Sequence, residues 1–127
     1  MAQAIASVSY EKLLTRTDTY RLVVPSSWLD ILPDISDNND VPIRVLDGKG
    51  MYWEFYLSKR ITGDYMKPVF KSKEWKRFAM KKGLMIGDRF VIQEEDDHFR
   101  GTQYRVGVQR LVGGGNEGQW VDLESEE

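Results

Sequence analysis

The sequence predicts a mainly β protein, a barrel of short strands with two short helices closing its ends. Two observations point there. Apolar and polar residues alternate with period two at Val41, Ile43 and Val45 and again at Trp53, Phe55 and Leu57. Helical spacing occurs in only two stretches, each bounded by Pro or Gly, while turn chemistry such as Asp47-Gly48 recurs between the strands.

Taken in order, residues 10–14 and 20–24 read as strands, the second rich in aliphatic and β-branched residues. Pro25-Ser26-Ser27 opens a short helical segment over 28–32, and Pro33 ends it. Residues 41–45 form a half-buried strand that starts at an edge, because Pro42 cannot donate to a ladder. The turn at 47–50 leads into the strand 53–57, and 65–71 forms the next one. Ser72 is placed to cap a helix whose Trp75, Phe78 and Ala79 fall at i, i+3 and i+4 on one apolar face. Glu74 near its start and Lys81 and Lys82 near its end suit the helix dipole, and Gly83 stops it. Strands follow at 90–92 and 104–108, with a polar loop over 94–102 between them.

The 127 residues suit one domain. The reading divides them into a flexible lead over 1–9, a folded body over 10–112 and a Gly-rich, then acidic, mobile tail over 113–127, in which Trp120 and Val121 are able to dock. With no cysteine, disulfides and thiolate metal sites are excluded. No apolar run approaches the roughly 18 residues of a membrane span, and residues 1–9 lack the features of a secretory signal. The single histidine, His98, lies in an acidic loop, so nucleophile–base pairs and most zinc sites have no parts. No catalytic residue, metal site or cofactor is expected. Trp28, Trp53 and Trp75 read as core.

Charge is the informative feature. Residues 59–82 hold nine bases and two acids, a local +7 on a chain of net charge −2, so the remainder carries −9. A basic island on an acidic chain is the footprint of a polyphosphate partner. Within it, Lys76, Arg77, Lys81 and Lys82 read first as the wet face of an amphipathic helix. Lys59 and Arg60 instead leave a strand for a loop with Thr62, and guanidinium, ammonium and hydroxyl groups there suit contact with base edges and phosphates. A second arm, 15–21, offers Arg16, Thr17, Thr19, Tyr20 and Arg21 between the first two strands.

The ordered set Leu14-Thr15-x-Thr17-Asp18, Arg21-Leu22-Val23-Val24-Pro25, Leu32-Pro33, Trp53-x-Phe55-Tyr56, Tyr65, Trp75-x-x-Phe78, Gly83-Leu84-x-x-Gly87-Asp88 and Tyr104-Arg105-Val106 resembles the plant B3 DNA-binding domain, over residues 10–111. The run Lys67-Pro68-Val69-Phe70 is similar to the reproductive-meristem-like branch of that family. The resemblance implies a seven-stranded open pseudobarrel with two short α-helices, and double-stranded DNA held in the major groove by two arms. One arm is 15–21. The other is the loop 58–64, carrying Ser58, Lys59, Arg60 and Thr62, with Lys67, Lys71 and Lys73 flanking it. It further implies a transcriptional regulator in plant nuclei, without metal or cofactor and open to other regulators as partners. No zipper is visible, so a monomer is expected. The chain departs from the family in a first arm about three residues shorter, in Thr19-Tyr20 where Gly-Lys is common, in Asp64 on the second arm, and in Glu54 where Arg is common. These departures keep open a protein-interaction module on a degenerate barrel with weak or non-specific DNA binding; separately, Tyr20, Tyr52 and Tyr56 as stacking surfaces keep open a single-strand binder.

Overall fold

The computed structural model describes residues 8–35, 39–62, 65–113 and 118–124, with backbone alone for 60–62 and 65–66. The expected lead over 1–9 falls largely outside these residues. Among the described residues eight strands form one sheet: β1 (Ser9–Leu13), β2 (Leu22–Val23), β3 (Val41–Leu46), β4 (Tyr52–Thr62), β5 (Tyr65–Phe70), β6 (Arg89–Asp97), β7 (Thr102–Val112) and β8 (Gln119–Asp122). Their order is β1-β6-β7-β3-β4-β5-β2, with β8 paired to β7 off this path. All pairings are antiparallel except β3 with β7.

This order explains the curl. β1 and β2 are neighbours in sequence but stand at opposite ends of the sheet. The short link between them can span that gap only if the sheet rolls up. Lys12 on β1 crosses the seam and donates to the Val23 carbonyl of β2 at 2.6 Å. The result is the expected open pseudobarrel.

Its interior is aromatic. Trp28, Phe55, Phe70, Trp75, Phe78 and Phe90 are all fully buried. Phe55 stacks on Phe70 at 5.1 Å, and Trp75 meets Phe90 edge-on at 5.0 Å. The helix α1 (Ser72–Lys82) supplies Trp75, Phe78 and Ala79 from the single face that their spacing requires. Gly83 closes it in the left-handed region at φ 65°, and the Leu84 amide folds back to the Ala79 carbonyl.

Several elements differ from expectation. The first helical segment is a 3-10 turn, Ser26–Asp30, just long enough to press Trp28 against Phe90 before Pro33. Ser72 is not the cap of α1, because the extended residue is Lys71 and no side chain caps the helix. The polar loop over 94–102 is mostly strand, since β6 runs to Asp97 and β7 starts at Thr102. The tail contributes β8, which pairs Trp120 with Leu111 and Val121 with Arg110.

β8 is held by a buried ionic cluster. Lys82 reaches Asp47 at 2.6 Å and Glu124 at 2.8 Å, with side-chain exposures of 7%, 0% and 2% in that order. Glu124 also accepts the Gly48 amide, and Asp47 accepts from Trp53 and from the Lys49 and Met51 amides. Burial works against the Asp47 charge, but Lys82, Trp53 and the two amides outweigh it and hold the carboxyl below its ordinary range. Lys82 is therefore no part of a wet helix face.

Candidate nucleic-acid interface

The first arm is a folded turn built around one carboxylate. Asp18, with no exposed surface, sits in a 3-10 turn over Thr17–Thr19. Its Oδ1 accepts from Lys12 Nζ at 2.9 Å and the Val23 amide at 3.0 Å. Its Oδ2 accepts from the Thr15 amide and Thr15 hydroxyl, both at 2.8 Å. Burial opposes this charge, yet the four donors prevail and hold the carboxyl below its usual value. The Asp18 carbonyl in turn accepts Trp75 Nε1 at 2.6 Å, which fastens the arm to α1. Asp18 belongs to the quoted motif, but its organising role has no sequence signature beyond an acid in a hydroxyl-rich turn.

That anchorage sets what the arm can present. Arg16 and Thr17 are exposed. Thr19 spends its hydroxyl on the Arg16 carbonyl at 2.7 Å. Tyr20 is 57% exposed, and the Lys76 ammonium lies 5.9 Å from its ring centroid.

The second arm is not the loop expected over 58–64. β4 continues through Thr62, with Ser58 facing Val69, Lys59 facing Pro68, Arg60 facing Lys67 and Thr62 facing Tyr65 across β5. Strand pairing satisfies the backbone groups that a loop would leave to solvent. The side chains of Arg60 and Thr62 lie outside the described residues, as do Gly63 and Asp64. Lys67 is exposed on β5.

The bases of the two arms meet in one groove. β2 pairs with β5 and β5 with β4, so Leu22, Phe70 and Leu57 lie in register, and Arg21 and Lys71 flank that row. Arg21, Ser58, Lys59, Lys71 and Lys73 line an open depression of about 710 Å³, together with Asp40, Tyr56, Val69, Ser72 and Glu74. Lys71 donates to Asp40 at 2.8 Å. Hydrogen bonds from Lys71 and Ser58 hold the Asp40 carboxyl below its ordinary value, and the same pair raises Lys71. Arg16, Arg21, Lys59, Lys67 and Lys73 form no ion pair among the described residues. Cations on β1, β6 and β7 do: Lys12, Arg89, Arg105 and Arg110 each reach a carboxylate. The arms and the start of α1 thus present a group of exposed or half-buried cations with no ion pair among the described residues; Arg44, Lys49, Lys81 and Arg100, exposed elsewhere on the surface, have none either.

Glu54 points its carboxylate at two tyrosines, accepting from Tyr52 and Tyr56 at 3.1 and 3.2 Å. Those hydroxyls are committed within the strand.

No protein-family model matches the chain. A B3 domain-containing protein of Oryza sativa subsp. japonica is 37% identical over 89 residues, 66% of this chain and 16% of that protein. The chain therefore spans about one sixth of that curated relative. Among solved structures, the Arabidopsis thaliana transcription factor LEC2–DNA complex aligns at a TM-score of 0.63 and 21% identity, covering 79% of this chain and 93% of that one. The Arabidopsis FUS3–DNA complex aligns at 0.61 and 22% identity, over 76% and 92%. A hypothetical Arabidopsis thaliana protein aligns at 0.57 and 21%, over 87% and 96%. Motif order and sequence similarity agree with the fold, which is the pseudobarrel fold of these solved B3-like structures.

Proposed function

We propose that this domain binds double-stranded DNA as part of a plant transcriptional regulator acting in the nucleus, and that it is not an enzyme. The observation that carries the reading is the shared groove: Arg21 from the first arm, Lys59 from the second and Lys73 from α1 open onto one surface with no ion-pair partner among the described residues. Ammonium and guanidinium groups so placed neutralise backbone phosphates, and Arg forks also read guanine edges. Two solved relatives of the fold are DNA complexes by name, which supports the same reading. Arg16, Thr17, Thr19, Tyr20, Arg21, Ser58, Lys59, Arg60, Thr62, Lys67, Lys71 and Lys73 are the proposed contact set, with Lys71 weakened by Asp40. Neutralising about five phosphates gives a slope of log K against log salt near −4 to −5. A duplex titration across salt tests this, and a flat response overturns it. Selection of duplexes from a random pool then reports whether bases are read.

A second reading, a protein-interaction module, draws on Asp40 and Glu74 in the groove wall. Retention of a protein partner through the arms, with no duplex retained at about 50 mM salt, where backbone contacts are strongest, favours it.

A further inference from the structure

Helix α1 adds a cationic wall beyond the two arms. Lys73, Lys76 and Arg77 stand at i, i+3 and i+4, one face of the helix, opposite buried Trp75, Phe78 and Ala79. Lys73 lines the arm groove. Lys76 leans over Tyr20 of the first arm. Arg77 lines an adjoining depression of about 420 Å³, which shares Tyr56, Lys73 and Glu74 with the groove. The two depressions form one lane that runs from Arg21 along the seam between α1 and β4. All three cations are exposed, and none has an ion-pair partner among the described residues. Lys82, at the far end of the same helix, is instead buried and paired with Asp47 and Glu124.

We propose that Lys76 and Arg77 are DNA-backbone contacts, extending the duplex footprint along α1 past the arms. The inference rests on the duplex-binding reading above. The spacing from Lys73, already in the arm groove, to Arg77 suits it: four residues of helix rise about 6 Å, close to the axial length that one strand allots to two phosphates at ~3.4 Å each. Glu54 and Glu74 also border this stretch. Glu54 is turned to Tyr52 and Tyr56, so that Glu74 is the carboxylate of this stretch that Lys73, Lys76 and Arg77 outnumber. Such contacts carry no sequence information, so they add affinity without selectivity.

The test is the double variant Lys76→Gln/Arg77→Gln in the full chain, with Lys76→Arg/Arg77→Lys as its charge-retaining counterpart. Each is titrated against salt with a duplex selected from a random pool and with a scrambled duplex. Losing two phosphate contacts at ~0.9 each lowers the salt slope by about 1.8, and affinity at 0.1 M salt falls about 60-fold, equally on both duplexes. The charge-retaining variant keeps the slope, and matching thermal melts show that the fold is intact. An unchanged slope in the Gln variant, with the unsubstituted protein binding normally, overturns the helix contact and leaves the arm reading standing. Failure of the unsubstituted protein to retain any duplex overturns both.

Discussion

Replacing Asp18 with Asn tests the claim that one buried carboxylate folds the first arm. The substitution keeps shape and volume and removes charge. Asn has one acceptor oxygen where Asp18 has two, and each Asp18 oxygen serves two donors. The better orientation keeps the oxygen toward Lys12 and Val23 and turns the amide nitrogen toward Thr15. The Thr15 hydroxyl can reverse and accept, but the Thr15 amide then faces another donor. Lys12, at 19% side-chain exposure, loses its counter-charge. An unpaired buried donor costs about 1–3 kcal/mol, and breaking a buried ion pair from one side costs about 3–5 kcal/mol. The Asn oxygen still accepts from Lys12, whose side chain keeps part of its surface exposed, so the two costs do not add in full; a total near 3–5 kcal/mol lowers the melting temperature by about 10–25 °C at this size. Urea unfolding at pH 7 measures it, and hydrogen exchange at the Thr15 and Val23 amides shows whether the arm opens first. Duplex affinity falls with the arm. A melting shift under about 3 °C, with both amides still protected, refutes the reasoning. In a Lys12→Met background the same substitution has less to break and costs less.

Lys82→Met leaves Asp47 and Glu124 buried together without their cation and is expected to cost about 3–5 kcal/mol by urea unfolding; a neutral result dismisses the cluster as the tie that holds β8. Acid should destabilise the fold in a defined window. Asp18 and Asp47 are depressed in the folded state, so each stabilises above the unfolded value near 3.9 and that contribution is lost as pH falls through the folded values. Urea midpoints are expected to hold from pH 7 to about 5 and to drop below about pH 4; a drop confined to pH 5–7 contradicts this. On the binding side, Lys59→Ala should reduce the duplex salt slope by about 0.9, and Lys71→Ala by less, because Asp40 already holds Lys71. Equal effects would show that the pair opens on the duplex.

Repeating chemistry could be read in the sequence, and pairing over distance could not. The alternation through Trp53, Phe55 and Leu57 located β4 because one face of that strand is core. It could not show that β4 runs on to Thr62, since that extension is decided by pairing with Tyr65–Phe70, not by burial. The apolar spacing of α1 and its Gly83 stop are local and were visible. Lys82 was not, because its environment is made by residues 35 and 42 positions away, Asp47 and Glu124. The tail read as mobile for the same reason: glycines and acids look solvated until one acid finds a buried ammonium. At the site, the cations themselves stood out, and the distinction among them did not. Among the described residues Arg21 and Lys73 have no ion pair while Lys71 is held by Asp40, and only the folded geometry separates them.

The extension of β4 to Thr62 has a mechanical consequence. A prong stiffened by ladder bonds arrives at its target already ordered, so little chain entropy remains to be surrendered on contact. Lys59 is likewise placed by strand geometry, about 3.4 Å per residue with successive side chains on opposite faces. Shifting that ladder by a single residue would carry Lys59 to the face away from the groove, a sensitivity that a slack loop of identical composition would not possess.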